Sequence, residues 1–571
     1  MEQQLSLVIG LKVFSILNFL MNFTMQKVNY KWLLEILKNS IFISVFLMLF
    51  VFINNLNAQS QLFISIDRGI YIAGENVKVN TGINKYSCQQ PLYIYCELMG
   101  QNGQRFSGVK IKLDSPVRKF DFHLDDNLKS GYYYLRSYFY KQNLSVGAID
   151  YAFFKLVNPA SKEVLDFSNE SKKIYIDTLL KANSNIEIKT NKLSYATREF
   201  VDLKVNVDTN LINPLFSTVS VVPKNSFLSF NLSEKTKLSF VNNMCDNKRS
   251  LILKGTISNK KTGSPLDNKR IYISVINSND VMSTLSDSLG RWYVQLPDYY
   301  GLHEIIISPE ENNEDFNIEV NKEFLSDVSL KFQNIFVLDS VEQKVALDLA
   351  ANYVVAGAFK RKHKTRSPVI ENKVFYNKAD QVIRIMDYVD LPKLSMYFTE
   401  LPGFAHLTKS RGNYEIRILD KSGLILLHKP LLMVDNVPIS DLNYILDINP
   451  KFVNRIEIVN ADYQKGDAIF GGILNFITNK KDFGGLNFPE TSVSINYQFL
   501  HNYFYNEESV SLYSNEPDAR NTLAFFNDLS MKNELHFYTG DVLGEYYIIV
   551  QTINKDGEKV SYYSSFDVQA K

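Results

Sequence analysis

One short pattern, met twice, constrains this chain more than any other feature. Asp67-Arg68-Gly69-Ile70-Tyr71-Ile72-Ala73-Gly74-Glu75-Asn76-Val77 has a weaker echo in Lys192-Leu193-Ser194-Tyr195-Ala196-Thr197-Arg198-Glu199-Phe200-Val201-Asp202-Leu203. In both, a cation is followed three positions on by Tyr, four further by Glu, and then by alternating apolar residues. Alternation with period two marks half-buried strands. Leu62–Ile66, Asn76–Asn80 and Leu92–Leu98 surround the first copy, with Asn102-Gly103 as a turn signal; Ile186–Thr190 and Ser217–Val222 surround the second. An internal repeat of this kind predicts a string of β-sandwiches.

Composition agrees. The chain has 39 Phe and 33 Tyr against 2 Trp, residues that favour pleated, half-buried surfaces. Its 571 residues imply several domains. With 62 basic and 61 acidic residues nothing points to a nucleic-acid partner. Three cysteines are too few for a disulfide-dense scaffold. Cys88 and Cys96 are read either as a cross-strand pair or as two buried thiols, with Cys245 left over.

The N-terminus predicts export. Ile41–Ile53 is an uninterrupted apolar run preceded by Lys27, Lys31 and Lys38, and Asn55-Leu56-Asn57-Ala58 suits cleavage before Gln59. Residues 1–58 are therefore expected to be a signal peptide, with 1–24 as an extension ahead of Met25. The competing reading is an uncleaved membrane anchor, or a hairpin with the earlier apolar run Leu5–Phe23. The expected location is the periplasm, outer membrane or cell surface.

Three resemblances order the rest. The first copy of the repeat, with Lys129-Ser130-Gly131-Tyr132-Tyr133-Tyr134-Leu135-Arg136-Ser137-Tyr138 downstream, resembles the macroglobulin (MG2-type) domains of alpha-2-macroglobulin-like proteins. This implies one sandwich over 59–160, a polar linker or short helix over 161–182, and a second macroglobulin-like domain over 183–247. Leu251–Ile257, Thr262-Gly263-Ser264-Pro265-Leu266 and Asp287-Ser288-Leu289-Gly290-Arg291-Trp292-Tyr293-Val294 resemble carboxypeptidase-regulatory-like domains. That sandwich is expected over 248–325, with Asp287 and Gly290 making a hairpin turn and no carboxypeptidase activity implied. Over 326–385 a helix (Val341, Val345, Leu349 and Tyr353 on one face) leads into the basic run Phe359–Pro368. That run is read as a solvated linker, or else as a contact for anionic lipid or lipopolysaccharide.

The third resemblance covers 386–482. Val434-Asp435, Val437-Pro438, Asn449-Pro450, Ile456-Glu457-Ile458, Gly471-Gly472, Asn475 and Ile477-Thr478 resemble the plug domain of TonB-dependent outer-membrane receptors, as do Leu401-Pro402-Gly403-Phe404 and Arg411–Ile418 upstream. A receptor barrel needs about 22 strands of about 9–11 residues. Lys481–Lys571 is too short for that, so a plug-like module without a barrel is expected, followed by a C-terminal sandwich over 483–571. No TonB-engaging box is evident ahead of Asp390. In this reading Pro438, Gly471 and Gly472 are structural, while Asp435, Asn436 and Asp441 form the candidate partner contact on a turn.

The seven His (His123, His303, His363, His406, His428, His501, His536) stand singly, in no HExxH or CxxC-linked spacing. The chain has no GxSxG elbow, no phosphate-binding GxxxxGK[ST] and no CGEQ thioester sequence. Asp435, Asp441 and Asp447 recur at spacing six, as carboxylates for a metal could, but the plug resemblance implies that Asp435 and Asp441 are turn and cap residues flanking the strand Leu431–Val434. The expectation is a mainly β protein of tandem immunoglobulin-like β-sandwiches plus one α+β plug-like domain. It is expected to have no cofactor and no enzymatic activity, and to bind or assemble with an outer-membrane or other envelope protein of a Gram-negative bacterium. The alternative is a plug or accessory subunit of a transport or secretion complex whose barrel another chain supplies.

Overall fold

The computed structural model describes residues 62–83, 92–140, 146–166, 174–176, 186–210, 212–228, 230–232, 251–276, 278–311, 315–325, 330, 335–359, 374–400, 405–410, 413–486, 491–501, 516–530, 534–553 and 559–571. The expected signal peptide, Cys88, Cys245, Leu401–Phe404, Arg411-Gly412 and the basic run beyond Phe359 lie outside the described residues. The protein is mainly β, as expected.

The first sandwich has eight strands: β1 (Leu62–Ile66), β2 (Ile70–Ile72), β3 (Asn76–Ile83), β4 (Leu92–Gly100), β5 (Arg105–Leu113), β6 (Val117–His123), β7 (Gly131–Tyr140) and β8 (Val146–Val157). They form a sheet of order β1-β3-β6 facing one of order β2-β8-β7-β4-β5. Ile64, Val77, Val79, Ile94, Leu98, Phe120, Leu135 and Phe154 fill the space between. Each such side chain contributes roughly 1.5–3 kcal/mol by leaving water. Cys96 is a buried free thiol in this core, while Cys88, the other half of that expectation, lies outside the described residues.

The second sandwich repeats this plan strand for strand. Ile186–Thr190, Phe200–Val207 and Glu534–Tyr538 make the three-stranded sheet; Ser194–Ala196, Lys559–Gln569, Gly544–Ile553, Thr218–Pro223 and Ala524–Asn527, in that order, make the other. Tyr71 and Gly131 flank Leu156 in the first copy, as Tyr195 and Gly544 flank Val568 in the second. Each copy has a tyrosine returning its hydroxyl to the backbone four residues earlier: Tyr133 to the Lys129 carbonyl at 2.8 Å, and Tyr546 to that of Val542 at 3.1 Å.

This overturns the expected boundaries. The domains assigned to 183–247 and 483–571 are two halves of one sandwich with one core, in which Val201, Leu203, Val219 and Val221 pack with Leu535, Phe537, Ile548 and Phe566. Each half supplies strands to both sheets and completes neither, because Thr218–Pro223 lies between strands that come more than 300 residues later. Where the first copy turns from β4 to β5 through Asn102-Gly103, the second carries residues 224–523.

The insertion is itself nested. Leu251–Asn259, Arg291–Leu296 and Phe316–Val320 form one sheet of a third sandwich, called regulatory-like below only after the resemblance read in its sequence. Arg270–Val275, Asp280–Leu285, Leu302–Pro309 and Val493–Gln498 form the other, so the last strand comes from the region expected to close the chain. Asp287 does turn the chain, accepting from Leu289 and Arg291 N–H at 2.9 Å, with Gly290 at φ 69°. The turn joins strands of different sheets and is not a hairpin. Between Val320 and Val493 lies the α+β module, a sheet of order Gln381–Arg384, Val453–Val459, Ile473–Thr478, Leu431–Val434, Val437-Pro438. The expected 161–182 linker holds a strand, Ile174–Ile176, paired with Phe230–Leu232.

Nor is the start of 326–385 a free linker. Residues 321–325 and Leu330 lie against the outer face of the first sandwich, where Tyr134, Tyr138 and Tyr140 bond the backbone of Leu330, Leu325 and Glu323 at 2.8–3.1 Å. Arg136, fully buried there, grips Glu97 at 2.6 Å and the Leu325 carbonyl at 2.7 Å. The helix α1 (Ser340–Phe359) follows. Its Val345, Ala346, Leu349 and Tyr353 pack on Ile70 and Ile72, and Glu342 binds Lys155 at 2.6 and 2.7 Å.

Candidate functional site

The α+β module carries the residues singled out in the sequence, and the structure gives each an internal role. Asp435 (φ 47°) and Asn436 (φ 70°) form the two-residue turn between Leu431–Val434 and Val437-Pro438, a geometry Asp and Asn tolerate better than other non-glycine residues. The Asp435 carboxylate accepts from Thr478 N–H (2.7 Å), Thr478 Oγ1 (2.6 Å) and Phe483 N–H (2.9 Å), tying the turn to the end of a neighbouring strand. Buried Asn436 accepts from Asn475 Nδ2 at 2.7 Å and donates to Asn279 Oδ1 of the regulatory-like sandwich at 2.9 Å. Asp441 caps the short helix Leu442–Leu446, accepting from Asn443 and Tyr444 N–H, and Asp447 ends that helix. The three aspartates therefore do not converge. Among the described residues no group of three His, Cys, Asp or Glu is placed to hold a metal ion.

The glycine pair has a steric origin. A Cβ on Gly471 would lie 2.1 Å from the His428 carbonyl oxygen, and one on Gly472 (φ 84°) 2.4 Å from that of Val459. Backbone fills the space on both sides, and Gly472 needs the left-handed region as well. Pro438 is buried opposite Met433, on an edge strand where its missing N–H costs nothing.

One face of the module is fixed to the regulatory-like sandwich. Leu431, Met433, Val459, Phe470 and Ile473 pack with Tyr272 and Val281, flanked by the ion pairs Arg270–Asp467 (2.8 Å) and Lys465–Asp280 (2.9 Å). Behind them Asn475 Nδ2 donates to the Tyr376 hydroxyl at 2.8 Å, which in turn donates to Glu457. Burial raises the Tyr376 phenol far above its ordinary range, with Glu457 adding to the effect.

Two other segments border the module's core with alternate side chains turned out. Ile383, Ile385 and Leu426 pack inward. Their near neighbours Met386, Val389 and Leu427 are 83, 82 and 89% exposed, with Leu424 and Ile425 also exposed. Sequence reasoning missed these residues because an exposed Met or Leu beside a buried Ile has no local signature; their exposure emerges only once the packing of the module is known.

A second feature is a cleft of about 460 Å³ between the two sandwiches and α1, lined by Arg68, Glu75, His123, Arg198, Tyr353 and Arg520 among others. Its charges are mostly paired: Arg198 holds Asp541 through two bonds (2.8 and 2.6 Å), and Arg520 holds Asp518 likewise (2.7 and 2.8 Å). Hydrogen bonding from Arg198 lowers the Asp541 carboxyl below its usual range. Asn521 and Thr522 close the cleft floor by bonding Glu75 and Asp67 across the sandwich junction.

A scan against protein families finds no match, and neither does a search of curated proteins. Among solved structures, alpha-2-macroglobulin of Salmonella reacted with methylamine aligns over 90% of this chain and 39% of its own, at 10% identity and TM-score 0.20. Trypsin-activated alpha-2-macroglobulin from Escherichia coli aligns over 90% and 42%, at 10% identity and TM-score 0.21. A tetra-tandem repeat from the extending region of a large adhesion protein aligns over 90% and 100%, at 6% identity and TM-score 0.14. The chain spans about two fifths of the length of the macroglobulins it is similar to.

Proposed function

We propose that this is a non-catalytic binding or assembly protein of the bacterial outer envelope, and that it meets its partner through the α+β module. The observation that carries this reading is a group of exposed apolar side chains on a module held firmly to its neighbour. One face is clamped by an apolar cluster and two ion pairs, while Met386, Val389, Leu424 and Leu427 stand in solvent. Large apolar side chains presented on a rigid mount are what a protein interface uses for its buried centre. The apparent contact moves accordingly from Asp435, Asn436 and Asp441, whose side chains are engaged within the fold, to these apolar neighbours. The export signal read in the sequence and the plug resemblance support an outer-membrane partner.

The test is photo-crosslinking in intact cells, with the reactive residue at Leu427 or Met386 and, as control, at Leu289 of the regulatory-like sandwich. An envelope protein captured from the first two positions and not from the third is expected. If that protein is a barrel, the module works as a plug supplied in trans. Equal capture at all three positions would remove the module from the function.

A further inference from the structure

The cleft between the two sandwiches and α1 holds a donor that its ion pairs do not use. Arg68 forms part of the cleft wall and is only 3% exposed. Its Nη2 donates to Glu75 at 3.1 Å and its Nε to Asp67 at 3.4 Å, whereas Nη1 has no hydrogen-bond partner among the described residues. A guanidinium keeps its charge when buried, so a donor left there without an acceptor is costly. The corner around Arg68 does not itself require that nitrogen. In the second copy Lys192 stands in the same place and pairs with Glu199 through a single ammonium.

We propose that the cleft binds a neutral saccharide, one hydroxyl oxygen of which accepts from Arg68 Nη1. Three observations select this class of ligand. First, two carboxylates, Asp67 and Glu75, already share the Arg68 charge, so an anion seated at Nη1 would face both of them. Second, the other wall cations are matched as well: Lys78 with Asp121 at 3.8 Å, Arg198 with Asp541 and Arg520 with Asp518. Such a wall offers little net field to a charged ligand but sets guanidinium donors beside carboxylate acceptors. A hydroxyl donates and accepts, and so can serve both; a peptide carbonyl only accepts. Third, Tyr353 and Phe359 of α1 add aromatic side chains to the same wall, an apolar surface for the C–H face of a sugar ring. The volume of about 460 Å³ is that of a small-ligand site. The described residues lining the cleft include none from the α+β module, so this site is separate from the surface proposed for the protein partner.

The test is an array of immobilised neutral and acidic glycans, probed with the full chain as isolated from cells. Retention on neutral glycans is expected, with no gain on glycans that carry carboxylate, sulfate or phosphate. Arg68→Lys copies the second sandwich, keeping a cation for Glu75 while removing Nη1, and should weaken retention at least tenfold. Gly357→Trp places an indole at the cleft wall from a helix position where an added Cβ meets nothing within 4 Å. It should block retention and leave the thermal melt unchanged. The retained glycan in free solution should compete, and neutral tripeptides should not. No retention on any neutral glycan, retention confined to acidic glycans, or retention that survives both substitutions overturns the proposal. So does displacement by the tripeptides as readily as by free glycan, which assigns the cleft to a peptide.

Discussion

Tyr71 and Tyr195 hold the same place in two copies of one sandwich. The Tyr71 hydroxyl donates to Asp67 Oδ1 at 2.6 Å and accepts from Arg68 N–H at 3.0 Å; that of Tyr195 donates to Asn191 Oδ1 at 2.5 Å and accepts from Lys192 N–H at 2.9 Å. Four residues on, Glu75 and Glu199 accept from the N–H of Ile72 and Ala196 at 2.8 and 2.7 Å and pair with Arg68 and Lys192. The repeated cation, Tyr and Glu thus form one locally bonded corner between the second and third strands of each copy.

Removing each hydroxyl tests that equivalence. Tyr71→Phe should cost about 1–3 kcal/mol, because it strips a bond from a fully buried carboxylate. Tyr195→Phe should cost less, about 0.5–1.5 kcal/mol, since Asn191 reaches solvent. Denaturant midpoints of the two variants would measure the difference, and equal losses would contradict the ranking.

That corner was legible in the sequence because all its bonds are local. The nesting was not. Phe200–Val207 reads as a strand whatever it pairs with, and nothing near it points to Glu534–Tyr538. A complete-looking domain was therefore drawn around half of one. Likewise, the spacing of Val341, Val345, Leu349 and Tyr353 predicts one apolar face on α1; the last three do pack on the first sandwich, whereas Val341, at the helix start, is exposed. In the α+β module the glycine pair and the turn were legible from their backbone demands, whereas Asp435's three bonds depend on a strand end more than forty residues away.

The interleaving makes a direct prediction. Residues 186–232 and 516–571, expressed separately, should each be unfolded by circular dichroism, since each supplies strands to both sheets and completes neither. Mixed, they should recover β-structure. A folded, monomeric 516–571 would restore the independent C-terminal domain.

Stability should depend on pH through the junction of the first and regulatory-like sandwiches. Lys110 is fully buried there, with its ammonium 3.6 Å from the Tyr497 ring and paired with Glu323; burial pulls it down to about 8 although Glu323 opposes this. An unfolded lysine keeps its proton to about 10.5, so between these values the folded chain binds fewer protons and gains stability as pH rises. His501, bonded to the Asp121 carbonyl at 3.0 Å, is lowered by burial below its ordinary 6.5, so the fold loses stability as pH falls through that value. Above about 10 the trend reverses, because burial holds the protons of Tyr95 and Tyr138 while the unfolded chain releases its own. Unfolding midpoints across pH 5–11 should therefore rise in two steps and then fall. His501→Gln should erase the acid step alone, and Lys110→Met the alkaline one. Persistence of either step in its variant would assign it to another group.

The aspartates of the α+β module separate fold from contact. Asp441→Ala removes a helix cap and should cost about 0.5–2 kcal/mol. Asp435→Ala should cost more, about 2–4 kcal/mol, because it leaves the N–H groups of Thr478 and Phe483 without their charged acceptor. Any loss of partner by the double variant would then follow its loss of structure. Leu427→Ser makes the opposite prediction: the side chain is 89% exposed, so its melt should stay within about 0.5 kcal/mol of the parent while partner capture falls. Comparing the two variants at a temperature where both are folded decides the matter. If capture is lost in the aspartate variant and kept in Leu427→Ser, the Asp435 turn is itself the contact, and the apolar surface is not.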